Sequence, residues 1–220
     1  MLSDSGMPVL ENESRLQGDY SCNIQELLGE RWKTPRESDI TDIYLTYENK
    51  GRIIWRLRRK QQIQPETKIT YHDHKKITLI PNYPPLECKL PLSSHAYFET
   101  LRERRNLFCI SGNRRELWID GDYNCYNGTE EIERQGMLHL CFDKIEELDG
   151  YWTEFEIELL ADFTDMPRLD ASIAKANEQI LSFIKKDLGI SEPFFKGLYT
   201  ETLIEEGRIK RPVNHIVFRF

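Results

Sequence analysis

EFEIE, at residues 154–158, places an acidic side chain at every second position. Alternate residues of a β-strand point to the same face, so this strand would present three carboxylates on one side. Its other side carries Phe155 and Ile157 and would pack on an apolar core. ENESR, at residues 11–15, repeats the pattern with Glu11, Glu13 and Arg15 on one face. Carboxylates crowded in this way repel one another, and a divalent cation relieves that repulsion.

Several further segments predict strands with one charged face. They are RIIWRLRRK at 52–60, KITYHDHKKITL at 68–79 and LECKL at 86–90. A solvated outer surface explains one or two such faces, whereas several together favour an antiparallel barrel with a polar interior. Another strand is predicted over 108–120, with a turn at 111–113.

A long amphipathic segment is predicted to cover the outside of this barrel. Its apolar positions recur at helical spacing from Asp170, which we predict as the N-cap, to Leu188, and Gly189 follows the end. The predicted fold class is therefore α+β, an antiparallel β-barrel with a polar lumen and helices packed outside.

Composition sets limits on the class of protein. A chain of 220 residues with 39% hydrophobic residues fits one large β-rich domain or two small ones. It has no run of eighteen apolar residues, and its start lacks the blocks of a signal peptide, so we expect a soluble cytoplasmic protein with no membrane partner. A net charge of −7 argues against general nucleic-acid binding. The five cysteines are scattered and form no C-x-x-C pair, which predicts reduced thiols.

The motifs and their order resemble a known family. They are E-x-E-x-R at 11–15, D-x-Y at 42–44, W-R-L-R at 55–58, G-Y-W-x-E-x-E at 150–156, and L-G-I-S at 188–191 before G-L-Y at 197–199. This series resembles the CYTH superfamily, the triphosphate tunnel metalloenzymes, which include thiamine triphosphatases, inorganic triphosphatases and class IV adenylyl cyclases. The resemblance spans roughly residues 9 to 204.

The resemblance implies a single domain over 1–220, with its core at roughly 9–204. That domain would be an eight-stranded antiparallel tunnel whose lumen holds a triphosphate and one or two Mg²⁺ or Mn²⁺ ions. By position, the implied metal ligands are Glu11, Glu13, Glu154 and Glu156. The implied catalytic residues are Arg15, Asp143, Glu154 and Glu156, and the implied triphosphate ligands are Arg56, Arg58, Lys68, Lys76, Arg114 and Arg115.

Two positions depart from the family pattern. Arg15 stands where the family usually has lysine, and His72 stands where relatives usually read T-Y-K, so Lys68, Lys75 or Lys76 would have to replace that lysine. For the later basic motif, Arg114 and Arg115 are preferred to the pair at 104–105 because they fall in a predicted strand.

The function that the resemblance implies is metal-dependent hydrolysis of inorganic triphosphate or of a small organic triphosphate. Within the fold, the alternatives are a class IV-type adenylyl cyclase and an RNA 5′-triphosphatase, the one case in which a nucleic acid would be the partner. From a different class comes a non-catalytic triphosphate-binding protein. The sequence leaves the choice of triphosphate and the oligomeric state open.

Overall fold

The structure is a computed structural model that describes residues 9–48, 53–63, 66–126, 136–148, 150–191 and 199–209. Within these ranges the strands are β1 Val9–Gln17, β2 Arg36–Glu48, β3 Ile53–Gln62, β4 Lys68–Ile77, β5 Leu86–Leu92, β6 Phe108–Ile119, β7 Cys125–Tyr126, β8 Leu138–Ile145 and β9 Trp152–Leu160. The α-helices are α1 Ser21–Leu28, α2 Ser94–Glu103, α3 Met166–Ser182 and α4 Tyr199–Glu205. All of them are too short or too polar to span a bilayer.

Eight strands of the described residues form a closed antiparallel barrel. Their order is β2–β3–β4–β5–β1–β9–β8–β6, and β6 pairs back with β2 to close the ring. The two-residue strand β7 extends the edge of β6. The prediction of an eight-stranded antiparallel barrel with a polar lumen and helices outside is confirmed.

The main hydrophobic core lies between the barrel wall and two outer helices. Phe155 and Ile157 of β9 are 0% and 1% exposed and face outward, because their neighbours Glu154, Glu156 and Glu158 take the lumen side. They pack in one cluster with apolar residues of α1 and α3. Burying each such side chain contributes about 1.5–3 kcal/mol, so the outer face of β9 anchors the helices while its inner face stays free for polar chemistry.

Helix α3 begins earlier than the sequence predicts. Its N-cap is Asp165, whose side chain accepts a hydrogen bond of 3.1 Å from the backbone N–H of Arg168, and Pro167 occupies the first turn. The prediction of Asp170 as the cap was wrong, because Asp165, which is followed by a proline in the first turn, already caps the helix five residues upstream. Asp170 instead accepts a hydrogen bond from the hydroxyl of Tyr83. Past α3 the chain continues through a π-helical turn, Phe183–Asp187, and Gly189 follows with a φ of +66°.

Strand β6 runs without interruption through the predicted turn at 111–113. Gly112, the residue that suggested a turn, instead allows β6 and β8 to approach closely. A Cβ on Gly112 would lie 2.5 Å from the backbone oxygen of Lys144 and 3.2 Å from the Cα of Ile145. Glycine inside a strand often marks such an approach.

An apolar cluster occupies one end of the barrel. Leu203 of α4 is fully buried there among Tyr47, Ile110 and Trp152. Tyr199, at the start of α4, also lines the lumen, so this helix supplies both the apolar packing and a hydroxyl group to the interior.

Candidate functional site

The lumen of the barrel encloses a cavity of about 670 Å³. Among the described residues, basic and acidic side chains line this cavity in nearly equal numbers. Most acids come from β1, β8 and β9, and most bases come from β3, β4 and β6. The interior therefore has an acidic wall and a basic wall, as expected from strands that alternate charged and apolar residues.

The pairing of β1 with β9 builds the acidic wall. Its register sets Glu11 opposite Glu158, Glu13 opposite Glu156, and Arg15 opposite Glu154. The Arg15 guanidinium bridges the two strands, at 2.8 Å from Glu13 and 2.9 Å from Glu154. It also lies over the ring of Tyr199, 4.7 Å from the ring centroid. The register thus makes the acids of β1 and β9 neighbours, while Arg15 binds the carboxylates of its own wall.

Lysine ammonium groups sit among these carboxylates. Nζ of Lys89 lies 3.0 Å from Oε1 of Glu11, 2.7 Å from Oε2 of Glu87 and 2.9 Å from Oε1 of Glu158. Lys76 contacts Glu11 directly and lies 3.7 Å from both Glu13 and Glu87. Lys76, predicted as a triphosphate ligand, is therefore a buried partner of the acidic wall in this structure.

The pKa values of the two glutamates at the centre of β9 are shifted in opposite directions. Burial and the charge of Glu11 raise the pKa of Glu156 to about 8. One of its oxygens, Oε1, is buried with no hydrogen-bond partner among the described residues. For Glu154, burial also acts to raise the pKa, but Arg15 and Arg114 outweigh it and hold the pKa well below its usual range. Adjacent lumen positions on one strand thus carry one carboxyl group with a raised pKa and one with a lowered pKa.

On the basic wall, arginines are held by an aspartate. Arg58 makes two parallel bonds of 2.7 Å to the oxygens of Asp42, and Arg56 lies 3.1 Å from Asp42 and 3.5 Å from Glu87. Burial acts to raise the pKa of Asp42, but these two arginines outweigh it and keep the pKa below its usual range. A bidentate pair fixes the plane of a guanidinium and leaves its remaining N–H groups to bind another anion.

Arg114 and Arg115 point to opposite sides of the barrel. Arg114 faces the lumen and makes bonds of 2.7 and 2.6 Å to Asp143, which also accepts a 2.7 Å bond from the Tyr199 hydroxyl. Arg115 lies on the outer face, 2.7 Å from Asp19. The placement of Arg115 in the triphosphate site is therefore corrected, because consecutive residues of a strand cannot share a face. Lys68 does line the cavity but is exposed at the beginning of β4.

A third group of side chains surrounds His139 of β8. Nε2 of His139 lies 3.5 Å from Oε2 of Glu116 and 3.4 Å from Sγ of Cys141, and Nδ1 lies 3.6 Å from Oε2 of Glu156. Burial acts to lower the pKa of His139, but these neighbours outweigh it and raise the pKa. Burial raises the pKa of Cys141 to about 11.

The sequence-based assignment of site residues missed several lumen groups. Asp42, Glu87, Lys89, Glu116, His139 and Tyr199 all belong to the network just described. Glu87 and Lys89 could have been found from the charged face of the strand at 86–90, and Asp42 from its place in the D-x-Y motif. Tyr199 likewise could have been found from the G-L-Y motif at 197–199, whereas Glu116 and His139 carried no comparable signal.

The donor chemistry of the acidic wall suits a hard divalent cation. Glu11, Glu87 and Glu158 each place one carboxylate oxygen within 4.8 Å of the other two. Carboxylate oxygens are the ligands that Mg²⁺ and Mn²⁺ prefer, and the buried, unpartnered oxygen of Glu156 adds a further acceptor nearby. Among the predicted ligands, Glu11 and Glu156 thus fit a metal, whereas Glu13 and Glu154 are engaged by Arg15.

No protein-family model and no curated protein matches the chain. Among solved structures, the PH1819 protein from Pyrococcus horikoshii OT3 is similar over 89% of this chain and 99% of its own, with 20% identity and a TM-score of 0.57. A conserved hypothetical protein from Pyrococcus furiosus is similar over 87% and 98%, with 17% identity and a TM-score of 0.55. The PH1012 protein from Pyrococcus horikoshii OT3 covers 88% and 98%, with 14% identity and a TM-score of 0.55. At these identities the similarity establishes the fold alone.

Proposed function

We propose that this protein is a metal-dependent hydrolase that acts on inorganic triphosphate or a small organic triphosphate and releases phosphate. The observation that carries the proposal is the lumen itself, in which aligned guanidinium groups face a row of carboxylates. The basic wall suits a polyanion, and the acidic wall suits the cation that accompanies it. The resemblance of the motifs to triphosphate tunnel metalloenzymes points to the same chemistry.

Arg56, Arg58 and Arg114 would bind the phosphate oxygens. Each is mostly buried, with 11–13% of its side chain exposed, and each is oriented by a carboxylate. A planar guanidinium binds phosphate through two parallel N–H donors, and a carboxylate on its other side keeps that plane fixed. Asp42 and Asp143 would therefore act as positioning residues for the three arginines.

The reaction needs a water molecule whose oxygen attacks the terminal phosphorus while the bond to the bridging oxygen breaks. In its ionised form, Glu156, whose pKa is raised to about 8 and whose Oε1 has no hydrogen-bond partner among the described residues, would accept the proton of that water. The ion pair between Glu154 and Arg15 would keep the charged side chains next to Glu156 in place. Mg²⁺ or Mn²⁺ held by Glu11, Glu87 and Glu158 would supply neutralisation of phosphate charge and a more acidic water.

The proposal is tested by product analysis. Purified protein is incubated with Mg²⁺ or Mn²⁺ and with inorganic triphosphate, thiamine triphosphate, ATP or GTP, and every product is resolved by chromatography. Orthophosphate from one substrate supports the proposal and names that substrate. Formation of a cyclic nucleotide and pyrophosphate would contradict the hydrolase proposal and support the adenylyl cyclase alternative.

A neighbouring pair of arginines provides a matched control. Arg114→Ala should lower the rate about 10²–10³-fold, the scale for losing one donor to a developing charge. Arg115→Ala changes the next residue of the same strand but removes a side chain from the outer face, so the rate should stay within about twofold. Equal rates for both variants would contradict the assignment of the lumen as the reaction site.

One observation favours a second candidate, a triphosphate-binding protein without turnover. Lys89 lies among the same three carboxylates that would hold the metal, so the site carries its own cation. Tight binding of triphosphate by calorimetry with no product from any substrate would support this second candidate over the hydrolase.

A further inference from the structure

Three side chains of different donor chemistry converge on the lumen side of β6 and β8. Cys141 lies opposite Glu116 across the strand pair, and His139 lies two residues from Cys141 on the same face. Their donor atoms, a carboxylate oxygen, an imidazole nitrogen and a sulfur, all lie within 4.8 Å of one another. The group is separate from the carboxylates around Lys89 and shares none of their residues.

Two of the three distances between these atoms match those of ligands around a tetrahedral metal. Bond lengths of about 2.0–2.1 Å for nitrogen and oxygen and about 2.3 Å for sulfur place tetrahedral ligand atoms roughly 3.3–3.6 Å apart. The structure has 3.5 Å between Nε2 of His139 and Oε2 of Glu116, and 3.4 Å between the same nitrogen and Sγ of Cys141. Both distances fall in the range that one shared ion requires.

Neighbouring groups orient the three donors. The imidazole of His139 stacks on Trp118, with ring centroids 4.3 Å apart and planes inclined by 2°. Its Nδ1 lies 3.6 Å from Glu156, which leaves Nε2 as the nitrogen directed at Glu116 and Cys141. Lys60 contacts the other oxygen of Glu116. A carboxylate on the far nitrogen of a ligating histidine is the usual arrangement around protein zinc.

We propose that Glu116, His139 and Cys141 form a second metal site, selective for a borderline ion such as Zn²⁺ or Co²⁺. Thiolate and imidazole suit these ions, whereas Mg²⁺ prefers oxygen donors alone. Binding exchanges protons of the cysteine and histidine for the metal. Three protein ligands leave a fourth position open, as in zinc sites that bind water or substrate. The site does not depend on triphosphate hydrolysis.

The test is a titration of the chelator-treated, full-length protein with Co²⁺, followed by absorption spectroscopy. The proposal predicts one strongly bound ion, a thiolate-to-cobalt charge-transfer band and the intense visible bands of tetrahedral cobalt. Excess Mg²⁺ should leave the spectrum unchanged. Cys141→Ser should abolish the charge-transfer band, while Cys125→Ser, which alters a buried cysteine of the outer core, should keep it.

Other results would overturn the site. A band that survives Cys141→Ser, disappears in Cys125→Ser, or is displaced by Mg²⁺ would place the cobalt elsewhere. If Cys141→Ser fails to fold, X-ray absorption spectroscopy of the unaltered protein with bound Zn²⁺ tests whether sulfur is a ligand. One sulfur at about 2.3 Å and the remaining ligands at about 2.0–2.2 Å support the site, and a shell without sulfur refutes it.

Discussion

Replacing Lys89 by methionine tests whether its ammonium stands in for a metal ion. The side chain makes contacts of 2.7–3.0 Å to Glu11 and Glu87, which are buried, and to Glu158, whose side chain is 33% exposed. Methionine keeps most of the volume of the lysine side chain but removes its charge. Removing one partner of a buried ion pair typically destabilises a protein by about 3–5 kcal/mol, because the remaining charge is left uncompensated. For a chain of this size that is roughly 6–20 °C in melting temperature.

A divalent cation should reverse this loss. In the unaltered protein, the metal must displace at least one contact between Lys89 and a carboxylate, and each such charged hydrogen bond is worth about 1.5–3 kcal/mol. The Lys89→Met variant needs no displacement, so it should bind Mn²⁺ at least about tenfold more tightly. Calorimetric titration with Mn²⁺ and thermal unfolding with and without chelator measure the two effects.

Lys75→Met provides the control, because Lys75 is on the same barrel but 46% exposed, with an ion pair to Asp73. An exposed pair is worth about 0–1 kcal/mol, so both stability and Mn²⁺ affinity should change little. The reasoning fails if Lys89→Met is as stable as the unaltered protein in chelator and binds Mn²⁺ no more tightly. Such a result would mean that the three carboxylates neither depend on the ammonium nor hold the metal.

Three further predictions concern the barrel itself. Gly112→Ala should destabilise the protein by about 1–3 kcal/mol in urea unfolding, because the added Cβ would meet the backbone of β8. Gly121→Ala is the control: no atom lies within 4 Å of its Cβ, so its stability should match that of the parent apart from the backbone preference of glycine. Phe155→Ala should lose about 3–5 kcal/mol by the same measurement, and no loss would place the core elsewhere. Asp42→Asn should lose about 3–5 kcal/mol at pH 7. Because Arg56 and Arg58 lower the pKa of Asp42, its contribution is present above the unfolded pKa of about 3.9 and declines as pH falls below it. A stability difference that also varied between pH 5 and 7 would point to another group.

Alternation along single strands was enough to predict the barrel. In β9, Phe155 and Ile157 face outward while Glu154, Glu156 and Glu158 face the lumen, and the lumen faces of β3, β4 and β5 likewise carry polar side chains. Because side-chain direction in a strand has a period of two, assigning one face assigns the other. This local rule placed Glu11, Glu154 and Arg58 in the lumen, and it excludes Arg115, which is next to the lumen residue Arg114.

Contacts between distant strands could not be predicted in this way. Lys89 and Glu158 are far apart in sequence, and they meet only because β1 lies between β5 and β9 in the ring. The register that sets Glu11 opposite Glu158 depends on pairing that no local pattern specifies. Likewise, the sequence around Gly112 predicts a turn, and only the close approach of Gly112 to β8 explains its place inside a strand.

The charge balance of the lumen links the binding of anion and cation. Each inward arginine of the basic wall already has a carboxylate partner, and the acids around Lys89 already have an ammonium. A triphosphate carries about four negative charges near neutral pH, so on entry it gives this balanced interior a surplus that the side chains alone do not neutralise. A divalent ion bound together with the triphosphate reduces that surplus, so each ligand should tighten the other. Linkage makes the two enhancements equal: the factor by which Mn²⁺ tightens triphosphate is the factor by which triphosphate tightens Mn²⁺.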